Sequence, residues 1–215
     1  KSRTTQAHLI LGKEKKNSIE VYRKTVKETI EIPLSQTEPF IRTLTGLKNF
    51  GNCAVDFVIT EPPKKSGMKQ WEDVSPKWNV EKNGKFDWFL HNKTLQKNRS
   101  YVFLASTFRP DSPNTHHIAF HTREKVCAPH TLKALLCQNS EEGMFQTLLL
   151  NSSFGIALLL MYRPQSTGGK TTFSEKEYRF FDIFDASKLS KDQKTKLTKL
   201  YKKLEKVEFP SLKKQ

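Results

Sequence analysis

The segment from Ser100 to Pro164 holds most of the uninterrupted apolar runs of this 215-residue chain, and it decides the fold class. Its sequence is SYVFLASTFRPDSPNTHHIAFHTREKVCAPHTLKALLCQNSEEGMFQTLLLNSSFGIALLLMYRP. Alternating and β-branched residues favour strands, whereas apolar residues spaced by three and four favour helices. The segment therefore predicts a core of strands and helices that forms without help from the flanking residues.

Five elements are predicted inside this segment, in the order β-β-α-β-β. The strands are expected at 101–108, 116–122, 145–150 and 154–162, and a short helix is expected at 131–138. Turn residues separate the first two strands, and the last two flank an Asn-Ser-Ser turn.

The first sixty residues predict a similar layout. Alternation across 18–32 indicates a β-hairpin. Thr37 is a candidate N-cap with Pro39 in the first turn, so a short helix is expected to run from there to Gly51. A third strand is expected at 53–59, which gives the order β-β-α-β.

Two units of this kind predict an α+β protein with an internal duplication. A helix packed across a small sheet in this order is the β-grasp, or ubiquitin-like, arrangement. The predicted domains are a first ββαβ unit at 1–62, a linker at 63–84, a second ββαββ unit at 85–186 and a basic C-terminal helix at 187–215. The linker is assigned because its prolines and glycine interrupt regular structure.

The C-terminal helix is expected to be amphipathic. Ser190 and Gln193 have the spacing of a capping box, and apolar residues follow at helical intervals. Such an apolar stripe can dock a partner protein. The candidate partner-binding residues are Leu197, Leu200 and Leu204.

The formal net charge of +15 is the strongest functional signal. A large positive excess self-repels unless an anionic partner neutralises it, and nucleic acid is the first candidate. The alternative is an ordinary lysine-rich surface exposed to solvent. Aromatic residues between 71 and 89 lie among lysines, a mixture that holds single strands, although core packing also explains them. The candidate nucleic-acid contacts are Lys13, Lys15, Lys16, Arg23, Lys24, Lys188, Lys191, Lys194, Lys199, Lys202 and Lys203.

No catalytic or metal motif is evident, so we expect a non-enzymatic protein without a cofactor or a metal. A histidine-rich cluster lacks paired zinc-ligand spacing, and a reactive cysteine would need an activating group. An odd cysteine count favours a reducing compartment, and no apolar run reaches the roughly 20 residues that span a bilayer. The cluster consists of His116, His117, His121, Cys127 and His130, and the second cysteine considered as a nucleophile is Cys137.

Three short stretches resemble a known family. They are Ile118–His121 (IAFH), Thr131–Cys137 (TLKALLC) and Gly143–Phe145 (GMF). They are similar to a strand-helix segment in the tandem ubiquitin-like region of vertebrate trypsin-like proteases associated with DNA replication. The resemblance implies a nuclear protein whose ubiquitin-like region binds DNA, and it adds Phe120 to the candidate contacts. By its parity with Ile118, Phe120 can equally be a core residue.

Overall fold

The computed structural model describes residues 9–23, 28–41, 44, 47–51, 56–60, 81–82, 85–86, 88–109, 111–129, 131–162, 171–173 and 185–214. The chain divides into two compact units. The first is drawn from Lys1–Phe40 and Asp56–Lys97, and the second from Ile41–Val55 and Asn98–Gln215. Both units contain strands and helices, so the predicted α+β class is confirmed.

The first unit contains small antiparallel sheets. Strands β1, β2 and β3 form a three-stranded sheet in that order, and β4 pairs with β5 and β6 with β7. Ile19 and Ile32 lie opposite each other on β2 and β3 and are both buried, which confirms the predicted hairpin. The described elements are β1 (Leu9–Glu14), β2 (Ser18–Arg23), β3 (Glu28–Pro33), β4 (Thr37–Phe40), β5 (Asp56–Ile59), β6 (Glu81–Lys82), β7 (Lys85–Phe86) and helix α1 (Trp88–Lys97).

The second unit is built on a three-stranded antiparallel sheet in the order β10-β8-β11. Strands β9 and β12 form a separate two-stranded sheet. Two consecutive helices follow the sheet, and a third lies near the C-terminus. The described elements are β8 (Ser100–Ala105), β9 (Thr107–Phe108), β10 (Ala119–Val126), β11 (Leu132–Leu135), β12 (Thr171–Thr172), α2 (Ser140–Leu150), α3 (Ser153–Met161) and α4 (Lys191–Leu204).

Both faces of the β10-β8-β11 sheet are buried. Val102 and Leu104 of β8 point to one face, where Leu150 and Leu159 of α2 and α3 cover them. Phe103 points to the other face and packs in a separate apolar cluster. That second cluster also contains Ile41, Leu44, Phe120, Val126, Ala128 and Leu132.

The predicted helix at 131–138 is wrong, because this segment forms strand β11 and pairs with β8. Leu132 belongs to the cluster on one face of the sheet, and Leu135 packs against the cluster on the other. The hydroxyl of Ser100 also donates to the carbonyl of Leu135. Leu132 and Leu135 are three residues apart and contact clusters on opposite faces of the sheet, and this spacing resembles that of a helix.

The predicted strands at 145–150 and 154–162 are also wrong, because both segments are helical. The Asn139 side chain accepts a hydrogen bond from the amide of Glu142 and caps α2. The Ser152 hydroxyl accepts from the amide of Gly155 and caps α3. The Asn-Ser-Ser stretch therefore starts a helix, and the predicted β-β-α-β-β order is not found.

The predicted helix between Thr37 and Gly51 is wrong in its first part. Thr37–Phe40 is strand β4 and pairs with β5, and the Thr37 hydroxyl donates to the carbonyl of Leu34 instead of capping a helix. The described residues from 41 to 51 have no regular secondary structure. Their apolar spacing reflects burial, since Ile41 and Leu44 pack in the second unit.

Other expectations are met to different degrees. Strands β8 and β10 confirm the predicted pair, although β10 starts three residues later than the predicted 116 and runs on to Val126. The apolar run at 86–90 also predicts a short strand, which is wrong beyond Phe86, because α1 begins at Trp88. The apolar run at 178–184 predicts a last strand, and it lies outside the described residues. The domain limits at 62, 84 and 186 stay a prediction.

Candidate nucleic-acid interface and apolar cavity

Helix α4 carries most of the candidate residues, and its start is well defined. The Ser190 hydroxyl accepts from the amide of Gln193, and the Gln193 side chain accepts from the amide of Ser190. This is the predicted capping box, and it satisfies two backbone donors that a helix start leaves unpaired.

Tyr201 fixes the inner side of α4 to the sheet. Its hydroxyl lies 2.7 Å from Nδ1 of His121 on β10, and both side chains are buried. Nε2 of His121 lies 3.1 Å from the carbonyl oxygen of Ser140. A carbonyl only accepts, so Nε2 carries the proton and Nδ1 accepts from the tyrosine hydroxyl. Burial and the nearby Arg123 lower the pKa of His121 to about 4, which keeps the ring neutral.

An aromatic cluster completes this attachment. The ring of Phe50 lies 5.9 Å from the ring of Tyr201, 5.3 Å from that of His117 and 5.6 Å from that of Phe209. A Cβ at the neighbouring Gly51 would collide with Tyr201. Glycine is therefore needed at 51 for α4 to approach this closely, and α4 is an integral part of the second unit.

The outward side of α4 carries a group of lysines towards its C-terminal end, which we call the lysine face. Lys202 and Lys203 follow Lys199 by three and four residues, so these three lie on one side of the helix, and Lys206 follows in the turn after Leu204. All four are exposed, and within the described residues none of them has an acidic partner. Neighbouring Lys196 is also exposed but pairs with Asp192 at 2.7 Å. The lysine face consists of Lys199, Lys202, Lys203 and Lys206.

The other predicted contacts on the C-terminal segment are less available. Lys188 pairs with Asp185 at 3.9 Å. Lys191 is exposed in the first turn of α4, whereas Lys194 is half-buried on its inner side. Lys199, Lys202 and Lys203 are thus the predicted residues that the helix brings together.

The predicted basic group in the first unit is only partly described. Lys15 pairs with Glu31 at 3.0 Å and with Glu20 at 3.9 Å, so its charge is neutralised locally. Lys16 is exposed in the turn between β1 and β2. Lys13 lies on β1 and Arg23 lies on β2, but the structure does not describe their side chains. Lys24 lies outside the described residues.

Phe120 cannot stack on a base in this structure. Its side chain is 2% exposed and packs in the cluster around Phe103 and Leu132. Phe120 is therefore a core residue, as its parity with Ile118 allowed. It is removed from the candidate nucleic-acid contacts. The tryptophans at 71 and 78 lie outside the described residues.

The leucine stripe of α4 lines an apolar cavity within the second unit. Leu197, Leu200 and Leu204 form one wall of a cavity of about 400 Å³. Leu200 is 44% exposed, so it lies where the cavity opens to solvent. The sequence did not predict the opposite walls. They include Phe145, Leu148 and Leu149 of α2, Ile156 of α3, and Phe209 and Leu212 after α4.

The polar groups that line the cavity are satisfied inside the protein. Oδ1 of Asn151 accepts from the amide of Ile118 at 2.9 Å, and its Nδ2 donates to the carbonyl of Ala119 at 2.7 Å. The Ser152 hydroxyl donates to the carbonyl of Leu149 at 2.6 Å. The surface that remains for an occupant is therefore mainly apolar.

The histidine and cysteine cluster has structural contacts. Nδ1 of His116 lies 2.8 Å from the carbonyl of Phe209, and Nε2 of His117 lies 2.5 Å from that of Lys48. Burial lowers the pKa of His117. In the described part of the chain, no three His, Cys, Asp or Glu residues come together in a group that could hold a metal. His130 lies outside that part.

Cys127 and Cys137 are buried. Cys127 precedes a strand instead of the expected helix, so it has no helix N-terminus to activate it. Burial, with a smaller effect of Glu142, raises the pKa of Cys137 to about 12, so its thiol is protonated at neutral pH.

Within the described residues, no single helix is long and apolar enough to cross a membrane. Helices α2 and α3 pass such a test by length and composition only when taken together, and they meet at an angle of 72°.

Comparison of the chain with models of protein families, with curated proteins and with solved structures found no match.

Proposed function

We propose that this chain is a nucleic-acid-binding module that contacts the sugar-phosphate backbone through the lysine face of α4. The proposal is supported by the position of Lys199, Lys202 and Lys203 on one exposed side of a firmly attached helix, with exposed Lys206 in the turn that follows, all without described acidic partners. Like charges four residues apart destabilise a helix by about 0.2–0.5 kcal/mol per pair. One such pair within α4, Lys199 with Lys203, is relieved when phosphates neutralise it.

The lysine face favours backbone contact over base recognition. Lysine is a flexible point charge that pairs with phosphates, whereas base recognition uses bidentate side chains such as arginine, asparagine and glutamine. The outward side of α4 offers lysines and threonines for contact with a nucleic acid. We therefore propose weak sequence preference and strong salt dependence.

The test is a titration of labelled single-stranded DNA and RNA at several salt concentrations. The variant Lys199→Glu/Lys203→Glu should lose at least about tenfold in affinity near 50 mM salt, and its salt slope should fall by about 1.4, since each lost phosphate contact on a single strand contributes about 0.7. A matched control is Lys93→Glu/Lys97→Glu, which reverses two exposed lysines at the same spacing on α1.

The control variant should keep most of the affinity although its net charge changes equally. Equal losses in both variants would mean that overall charge, not the lysine face, attracts the polyanion. Absence of binding by the unaltered protein at low salt would refute the proposed function.

A nuclear location and the relationship to the ubiquitin-like region of replication-associated proteases are proposals that depend on the sequence resemblance alone. The β-grasp arrangement does not enter the functional proposal. That arrangement needs a helix between the second and third strands, and Thr37–Phe40 and Leu132–Leu135, where those helices were predicted, are strands.

The second candidate function is a protein-interaction module, and the outward side of α3 favours it. Phe154 is 66% exposed and Met161 is 80% exposed, with Ala157 exposed between them on the same side of the helix. An exposed apolar helix side of this kind marks a contact surface. Capture of a partner from nuclease-treated extract by the unaltered chain but not by Phe154→Ser/Met161→Ser would support this alternative.

A further inference from the structure

The cavity between α2, α3, α4 and the C-terminal segment has features of a ligand site that the proposed nucleic-acid function does not use. Its volume of about 400 Å³ lies in the range of small-molecule pockets. Ten of its fourteen lining residues are apolar. Water gains few hydrogen bonds there, because Asn151 and Ser152 are already engaged within the protein.

The wall of the cavity that α4 forms runs from Leu197 to Leu204. Leu197 and Leu204 are seven residues apart on one side of the helix, which corresponds to a length of about 10 Å at about 1.5 Å per residue. A hydrocarbon chain suits a cavity of small-molecule size whose lining is mainly apolar.

The side of α4 next to the opening carries two lysines. Leu200 lies at the opening, and Lys196 and Lys203 flank it at four residues before and three residues after on the same helix. Lys196 is engaged with Asp192, whereas Lys203 has no acidic partner among the described residues. Glu205 lies on the other flank of α4, where its Cβ approaches Gly51.

We propose that this cavity binds one free fatty acid, with the acyl chain between α2 and α4 and the carboxylate at Lys203. The apolar walls supply the binding free energy by removing the chain from water. The ammonium group of Lys203 supplies the preference for an anionic end at the opening.

The test uses laurate as the probe and dodecyltrimethylammonium as a probe with the same chain length and the opposite charge. Calorimetric titration below the micellar concentration should show one laurate per chain and at least tenfold weaker binding of the cation. Lys203→Glu should weaken laurate binding at least tenfold. Lys202→Glu, the matched control on the opposite side of α4 from Leu200, should change it less than twofold.

The two lysine variants separate this proposal from nucleic-acid binding. Both residues belong to the lysine face, so both variants should weaken DNA binding similarly, while only Lys203→Glu affects laurate. Leu149→Trp should fill the cavity and abolish laurate binding while leaving DNA binding intact, with circular dichroism as the check on folding. The proposal is overturned if the unaltered protein shows no saturable binding of laurate, if both lysine variants lose laurate equally, or if the cation binds as tightly.

Discussion

The hydroxyl of Tyr201 on α4 donates a 2.7 Å hydrogen bond to Nδ1 of His121 on β10, and both partners are buried. This contact joins the helix that carries the lysine face to the central sheet. The ring of Tyr201 also lies edge-on to the imidazole at 5.3 Å. The stability of the second unit and the position of the lysine face are therefore coupled.

Tyr201→Phe should destabilise the protein by about 1–3 kcal/mol, because it leaves a buried acceptor on His121 without a donor. Urea denaturation followed by circular dichroism measures this loss. In a His121→Phe background the same change should cost much less, because the acceptor is then absent. Equal losses in both backgrounds would contradict a role for this hydrogen bond.

Stability should fall as the pH is lowered from about 6.5 towards 4. The pKa of His121 is about 4 in the folded state and 6.5 in its ordinary range, so the unfolded chain binds the proton first. The contribution of the neutral His121 ring to the free energy of unfolding is fully present above pH 6.5. It decreases by up to about 3 kcal/mol towards pH 4. His117, whose pKa is also lowered by burial, acts in the same direction.

Denaturation midpoints measured between pH 7.5 and pH 4.5 check this expectation. The variant His121→Gln should show a flatter dependence of stability on pH, whatever its absolute stability. An equally steep dependence in the variant would assign the effect to other groups.

Gly155→Ala should destabilise the junction of α2 and α3. A Cβ at this position would overlap the carbonyl oxygen of Leu149 and backbone atoms of Leu150, which cannot move aside as a flexible side chain can. We expect a net loss of about 1–3 kcal/mol from this overpacking, even though alanine favours helices. Ser153→Ala, at an exposed position on the same helix, should change the stability by less than about 0.5 kcal/mol. Thermal unfolding of both variants provides the measurement.

The thiols of Cys127 and Cys137 should be unreactive in the folded protein. Both are buried, and the raised pKa of Cys137 leaves almost no thiolate at neutral pH. In a Cys53→Ser background, a disulfide reagent such as Ellman's should modify both thiols in denaturant and neither under native conditions. Rapid modification of one thiol per native chain would show that a cysteine is accessible.

Local sequence signals predicted the elements that residues close together in the sequence determine. The capping box at Ser190 and Gln193, and the alternation across β2 and β3, depend on residues close together in the sequence. The lysine face was visible for the same reason, since its members recur at helical spacing. Charge and periodicity together located three of its four members among the candidate contacts.

Elements decided by tertiary burial could not be predicted in this way. Strand β11 has leucines that contact clusters on both faces of the sheet, and α3 is apolar on most sides, so neither shows the periodicity that separates strands from helices. The N-caps at Asn139 and Ser152 were the available signals for helices α2 and α3. The cavity could not be inferred at all, because its walls come from separate segments that include Phe50, Phe145 and Phe209.

Strand β8 lies in the middle of its sheet and is covered on both sides, with Val102 and Leu104 towards α2 and α3 and Phe103 towards the opposite cluster. A library of random variants should therefore show three adjacent positions that tolerate few substitutions. A strand at a protein surface, by contrast, tolerates substitutions at every second residue. Selection for foldability would leave this short stretch nearly unchanged, while surface lysines drift freely unless a polyanion constrains them.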